Sequence, residues 1–274
     1  ELASYLLQNE EQQRILDGFS ENTISNYPLP FGVAPNFLIN GIAYVVPMVT
    51  EESSVVAAAA SGAKFWLDKG GIQTKVIGTL KNGQVHFLWY GDGALLAAKE
   101  AVLSEHLIAS CKPITQNMDE RGGGIKSISL QNFTDKEPGY YQLQLQVDTC
   151  DSMGANFINS ILEHCAEELP VWFEANMPNE VPVPEVIMSI LSNYTPECRV
   201  LAWVECPVQD LGNFDGELEA EEFARRFYTA VRISHIDVHR ATTHNKGIFN
   251  GIDAVVLATA NDFRAVEACG HAWA

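Results

Sequence analysis

The chain changes character at about residue 72 and changes back near residue 198, and this interruption limits the folds open to it. Between those points "TKVIGTLKNGQVHFLWY", "GGGIKSISLQNF" and "GYYQLQLQVDTC" are rich in alternating apolar and polar residues, the pattern of half-buried strands. Lys81-Asn82-Gly83 predicts a hairpin turn within the first of these. "GALLAAKEAVLSEHLIASC" and "DSMGANFINSILEHCAEELPVWFEA" read as helices, and "VPEVIMSILSNY" as a further short one. Together they predict a small α+β domain over residues 79–192. On either side the pattern differs. "ELASYLLQNEEQQRILDGF" has helical spacing, "ENTISNYPLPFGVAPNFLING" is irregular but studded with apolar residues, and "IAYVVPMV" is a short strand. "EESSVVAAAASGAKFWLDKGG" is an alanine-rich helix stopped by Gly70-Gly71. "RVLAWVECPV" returns to strand and "GELEAEEFARRFYTAVRIS" to helix. The expected fold class is α/β (α+β): a large mixed helix/sheet domain, residues 1–78 and 193–274, interrupted by the small inserted one.

Net charge is -18, from 17 basic against 35 acidic residues. Such a surface repels nucleic acid and anionic membranes, so neither is an expected partner. An anionic ligand requires a local gathering of basic side chains or backbone N–H groups, which draws attention to Arg240, Lys246 and Arg264. The six cysteines show no CxxC pairing, and no apolar run reaches membrane-spanning length. The expectation is a cytoplasmic protein with reduced thiols. The first and last residues fall inside helical patterns, so both ends are expected to be cut from a longer chain.

Three short stretches can carry chemistry, each beside a plainer reading. Lys246 stands in "HNKG", read as a glycine-rich loop, ahead of an apolar run that ends at Asp262. It is either a solvated turn lysine or an electrophile for an oxyanion, with Asp262 keeping it charged. Gly247 and Gly251 are read as letting backbone pack close. Glu51 and Glu52 open the alanine-rich helix, where they complement its dipole or one of them serves as a proton donor. "DSMGANF" follows a strand and opens a helix, as an Asp cap or as a phosphate cradle. It is not a G-x-G-x-x-G fingerprint. None of the seven histidines has metal-ligand spacing; His235 and His239 are four apart and could share a helix face, without a third ligand. No metal is expected.

"ENTISNYPLPFGVAPNFLING", "VPMVTEESSVVAAAAS", "DSMGAN" and "RATTHNKGIFNGIDAVVLATANDFRAVEACGHAWA", in that order, closely resemble 3-hydroxy-3-methylglutaryl-CoA (HMG-CoA) reductases, in the class II, mostly bacterial and archaeal, form. The resemblance implies reduction of HMG-CoA to mevalonate and CoA by two hydride transfers from NADPH or NADH, or the reverse oxidation of mevalonate. It places the chain among mevalonate-pathway enzymes of isoprenoid biosynthesis. It implies catalytic roles for Lys246 (oxyanion), Glu52 (proton delivery) and Asp262 (hydrogen-bonded to both). It implies Arg240 and Ser54 as holders of the substrate's free carboxylate, Asn250 as support for Lys246 and Asn193 as a substrate-side residue. Asp151, Met153, Gly154 and Asn156 correspond to the family's cofactor-contacting motif, in an inserted non-Rossmann nucleotide-binding domain. "ENTIS" corresponds to a dimer-contact segment, with active sites at the subunit interface of a homodimer.

The family's thiolate-protonating histidine lies C-terminal to the matched segment, so none of the histidines here is assigned that role. Lys112-Pro113 stands where NAD-preferring relatives carry an acidic residue, which leans the expected cofactor toward NADPH. The alternatives to an active reductase are a catalytically incomplete ligand-binding fragment and a non-catalytic structural protein on the same fold.

Overall fold

A computed structural model describes residues 1–212 and 218–273. Gly216 and Glu217, which open the expected helix over 216–234, and Ala274 lie outside the described residues. In chain order, a 3-10 turn (Leu2–Tyr5) precedes α1 (Glu10–Asp17), β1 (Phe31–Ile39), β2 (Ile42–Val49) and α2 (Val55–Leu67). Then come β3 (Gln73–Leu88), α3 (Gly93–Ala98), α4 (Glu100–Ser110), α5 (Lys112–Asp119), β4 (Gly124–Asn132), β5 (Tyr140–Asp148), α6 (Ala155–Asn176), β6 (Glu185–Leu191) and β7 (Cys198–Trp203). A second 3-10 turn (Val208–Leu211), α7 (Ala220–Ser234), α8 (Val238–Ala258) and α9 (Phe263–Trp273) follow. The chain divides into two compact units, Glu1–Ile72 with Val204–Phe263, and Gln73–Trp203 with Arg264–Ala274.

The second unit is built on an antiparallel sheet in the order β4-β5-β3-β6, with β7 paired to the first half of β3. Alternate residues face opposite ways. Val85 and Phe87 of β3, and Leu143, Leu145 and Val147 of β5, are buried in one core with Leu103 and Leu107 of α4 and Ile158, Ile161 and Leu162 of α6. Each such side chain contributes roughly 1.5–3 kcal/mol by leaving water. The other face carries Gln84, His86, Gln142, Gln144 and Gln146, as the period of two requires. The mixed α+β class expected from the sequence is what the chain adopts, and its main sheet is antiparallel, unlike a Rossmann sheet.

Two expected elements are corrected. Lys81-Asn82-Gly83 makes no hairpin turn; β3 runs unbroken through it for 16 residues. Its first half pairs with β7 and its second with β5 and β6, so one long strand does what two short ones were expected to do. Gly83 is required instead by α6, since a Cβ there would lie 2.6 Å from Leu162 Cδ1. "VPEVIMSILSNY" supplies strand β6 rather than a helix, because β3 offers it a free edge.

The first unit has a smaller core. The β1–β2 hairpin contributes Ala34 and Met48, which pack with Ala254 of α8 and half-buried side chains of α2. Among the described residues no helix is long and apolar enough to cross a membrane.

Candidate active site

Helices α2 and α8 of the first unit flank a cleft of about 390 Å³. Its lining is Glu52, Ser53, Ser54, Val55, Ala58 and Ala59 from one side and Gly247, Asn250 and Gly251 from the other. Each trio within a helix, Val55/Ala58/Ala59 and Gly247/Asn250/Gly251, has i, i+3, i+4 spacing and so lies on one face. Arg240 is seven residues before Gly247, which puts it two turns N-terminal on the same face of α8. Asp237 caps that helix, its carboxylate accepting from the N–H groups of His239 and Arg240. "HNKG" is therefore interior helix rather than the expected glycine-rich loop, because the cap and the long apolar stretch propagate the helix through two glycines.

At the mouth of the cleft the Lys246 ammonium donates to Glu52 Oε2 at 2.5 Å. These two residues are 194 apart in sequence and sit in different elements, so the contact is made by the fold alone. Their side chains remain 62% and 46% exposed, which makes the pair a weak contributor to stability, at most about 1 kcal/mol. Glu52 lies in the turn before α2, its N–H donating to Thr50 Oγ1 at 3.1 Å. Ser54 is the N-cap residue of α2 but makes no side-chain cap, and its φ of 72° is in the left-handed region. A non-glycine residue pays roughly 1–3 kcal/mol to sit there, strain that concentrates at ligand sites. Its hydroxyl is thus turned away from the ordinary capping role at a residue that lines the cleft.

Asp262 is half-buried at the junction of α8 and α9. Lys246 and Ala258 at the end of α8 are about 18 Å apart along the helix axis, so the two charges flank a rigid rod rather than a loop. His235 closes α7 and His239 opens α8, so they share no helix face, contrary to what their spacing allowed. Among the described residues no group of three His, Cys, Asp or Glu side chains converges in a way that could hold a metal ion.

The second unit holds the "DSMGAN" stretch between β5 and α6. Gly154 is the N-cap of α6, with φ 77° and no side-chain cap, and a Cβ there would run into Thr149 at 2.3 Å. Met153 is 44% exposed, and Asp151 and Asn156 are exposed beside it. Beneath the loop the Lys81 ammonium donates to Thr149 Oγ1 and to the Ser152 carbonyl, the latter at 2.7 Å. Asp148 braces the same turn by accepting from Thr79 Oγ1 at 3.0 Å and from the Cys150 N–H at 2.9 Å. Lys81 escaped the sequence reading because its Asn-Gly neighbours signalled a turn. Uncapped N–H groups at the start of a 22-residue helix, with an ammonium under the loop that precedes it, fit the phosphates of a dinucleotide. Lys112 is tied to Asp119 Oδ2 at 2.9 Å within α5. Asn193 belongs to this unit, exposed in the turn after β6.

A family model described as hydroxymethylglutaryl-coenzyme A reductase matches residues 1–274. The chain belongs to that family. It is 34% identical over 266 residues to the probable 3-hydroxy-3-methylglutaryl-coenzyme A reductase of Borreliella burgdorferi, covering 97% of this chain and 58% of the relative. It is 33% identical to the reductase of Archaeoglobus fulgidus, covering 95% of this chain and 56% of that protein. The chain thus spans somewhat more than half the length of these curated relatives. The solved class II 3-hydroxy-3-methylglutaryl-CoA reductase of Streptococcus pneumoniae, bound to NADPH in open conformations, superposes with a TM-score of 0.83 at 34% identity. That match covers 99% of this chain and 73% of the other.

Proposed function

We propose that this chain carries the catalytic core of a hydroxymethylglutaryl-CoA reductase, converting HMG-CoA and reductant to mevalonate and CoA. The observation that carries the reading is the 2.5 Å contact between Lys246 and Glu52 at a cleft of about 390 Å³, inside the size range of small-molecule sites. The bound nicotinamide, NADPH in preference to NADH, supplies two hydrides in succession. Lys246 donates a hydrogen bond to the thioester oxygen and stabilises the alkoxide that forms there. Collapse of that alkoxide releases CoA thiolate and leaves an aldehyde. Lys246 then holds the aldehyde oxygen, and Glu52 passes a proton taken up from solvent to the second alkoxide. Asp262 is the third residue that the family resemblance assigns to the set, and it stands beyond the far end of α8 from Lys246.

Arg240 and the Ser54 hydroxyl hold the free carboxylate at the far end of the acyl group, a task suited to a guanidinium. Asn250 supports Lys246, and Asn193 is a substrate-side residue. Asp151, Met153, Gly154 and Asn156 bind the cofactor, and Lys81 props the loop that presents them. The NADPH-bound relative and the basic residue at position 112 support NADPH over NADH. In our reading the molecule is a cytoplasmic homodimer. Six free cysteines suit a reducing compartment, and a second copy lying over the exposed Lys246–Glu52 pair would remove it from water.

The test is oxidation of NADPH and of NADH on adding HMG-CoA or mevaldehyde separately, with Lys246→Ala alongside. Turnover that the substitution abolishes, with melting temperature little changed, is the expected result. Retention of substantial turnover by Lys246→Ala would refute its role. Binding of both ligands without turnover of either would favour the second reading, a ligand-binding fragment, for which the exposure of the ion pair speaks.

A further inference from the structure

Two of the nine cleft residues are glycines in the interior of α8, where glycine is a poor choice. Neither Gly247 nor Gly251 is needed for close packing, for a Cβ on either would meet no atom within 4 Å. Neither has a positive φ. The sequence alone read them as places where backbone packs against backbone, and the structure removes that explanation. Both line the cleft, and open space lies beyond each missing Cβ. Gly62, in α2, is an instructive contrast: it too is helix-interior with nothing within 4 Å, but it is not among the cleft residues. An open glycine alone therefore says nothing; a pair of them on the face that borders a cavity does.

The wall supplied by α2 is apolar, made of Val55, Ala58 and Ala59, while the charged pair stands at one end and Asn250 beside the glycines. A ligand filling this space needs a polar carbonyl end at Lys246 and a short apolar projection between Gly251 and the alanines. We infer that Gly247 and Gly251 keep the floor of the cleft open for the branch of a branched short-chain 3-hydroxyacyl group, and that Gly251 makes the site prefer the 3-methyl-branched acyl over its unbranched counterpart. This rests on the reductase reading for the identity of the acyl group. The branch goes to Gly251 rather than Gly247 because Gly247 directly follows Lys246, where the reacting carbonyl is held.

Discrimination by one methyl group in an apolar pocket is worth about 10- to 200-fold. A Cβ at position 251 occupies the place of that methyl, so Gly251→Ala should weaken binding of 3-hydroxy-3-methylglutarate about 10-fold or more. It should change binding of 3-hydroxyglutarate little. Calorimetric titration of the two diacids into the unsubstituted chain, Gly251→Ala, Gly247→Ala and Gly62→Ala reads this without requiring turnover. All three alanine variants should melt no lower than the parent, because helix propensity improves and nothing clashes. Gly247→Ala should weaken both diacids together, and Gly62→Ala should leave both affinities as they are. An unchanged ratio of the two affinities in Gly251→Ala overturns the inference while leaving the reductase reading standing. Failure of the unsubstituted chain to bind either diacid overturns both.

Discussion

Lys246 and Glu52 show how little an ion pair needs to contribute to stability in order to matter. Both are well exposed, so breaking their contact removes little folding free energy, and the role proposed for them is what the ammonium can offer a carbonyl oxygen. His86 is the opposite kind of residue. It is only 8% exposed on the polar face of the sheet, with Nδ1 2.8 Å from the Tyr140 hydroxyl and the Tyr140 ring stacked beside it. Burial lowers its pKa below the usual 6.5. The unfolded chain therefore takes up a proton near pH 6.5 that the folded chain accepts only at lower pH. Stability from this residue is complete above pH 6.5 and is lost as pH falls from there through the folded value. Replacing His86 with Gln, which retains polar reach toward Tyr140, should flatten that dependence. Urea midpoints of the parent should fall more between about pH 7.5 and 5.5 than those of His86→Gln. Parallel curves for the two proteins would show that His86 carries no such linkage.

At the scale of elements, the legibility of the sequence tracked how local each determinant is. Alternation marked β4 and β5, and the alanine run marked α2, because those signals are read within a few residues. Segments 81–83 and 185–191 were misread because their state is decided by distant partners. The Asn-Gly pair ordinarily turns a chain, but here β5 and β6 hold it straight and α6 presses on Gly83. The same distance effect hid the setting of the candidate site. The family resemblance named Lys246 and Glu52 together, yet the helical setting of "HNKG" emerges only from the folded chain. If α6 is what requires glycine at position 83, a larger residue must overpack the core. Leu162 is fully buried, and Ile158 Cγ2 also lies 3.1 Å from the place of such a Cβ. Gly83→Val should cost roughly 1–3 kcal/mol in urea unfolding, and Gly83→Ala less. An unaltered midpoint for the valine variant would mean that α6 does not press there.

For the whole molecule, the two units are unequally finished. The second has a deep core of aromatic and aliphatic side chains, whereas the first buries few and leaves Ile24 (77%), Tyr27 (86%), Phe31 (63%), Ile42 (59%) and Val45 (62%) exposed. Apolar exposure on that scale marks a surface that meets another protein surface, and the proposed occupant is a second copy of this chain. Charge makes the proposal testable in a particular way. Two bodies of net charge -18 repel each other, so their association must be driven by apolar contact and opposed by the long-range field. Raising salt shortens the screening length from about 10 Å at 0.1 M to about 3 Å at 1 M, which weakens the repulsion and leaves the apolar contact intact. The dimer should therefore tighten with added salt, the reverse of an interface held by ion pairs. Val45→Glu, on the exposed part of β2, would bury an unpaired carboxylate and should shift the chain to monomer. It should reduce turnover as well, if a second copy covers the Lys246–Glu52 pair. Sedimentation equilibrium across that salt range reads the first effect and the same preparation assayed with HMG-CoA reads the second. A chain that stays monomeric at every salt concentration, or a dimer that salt dissociates, would remove the interface from the proposed site.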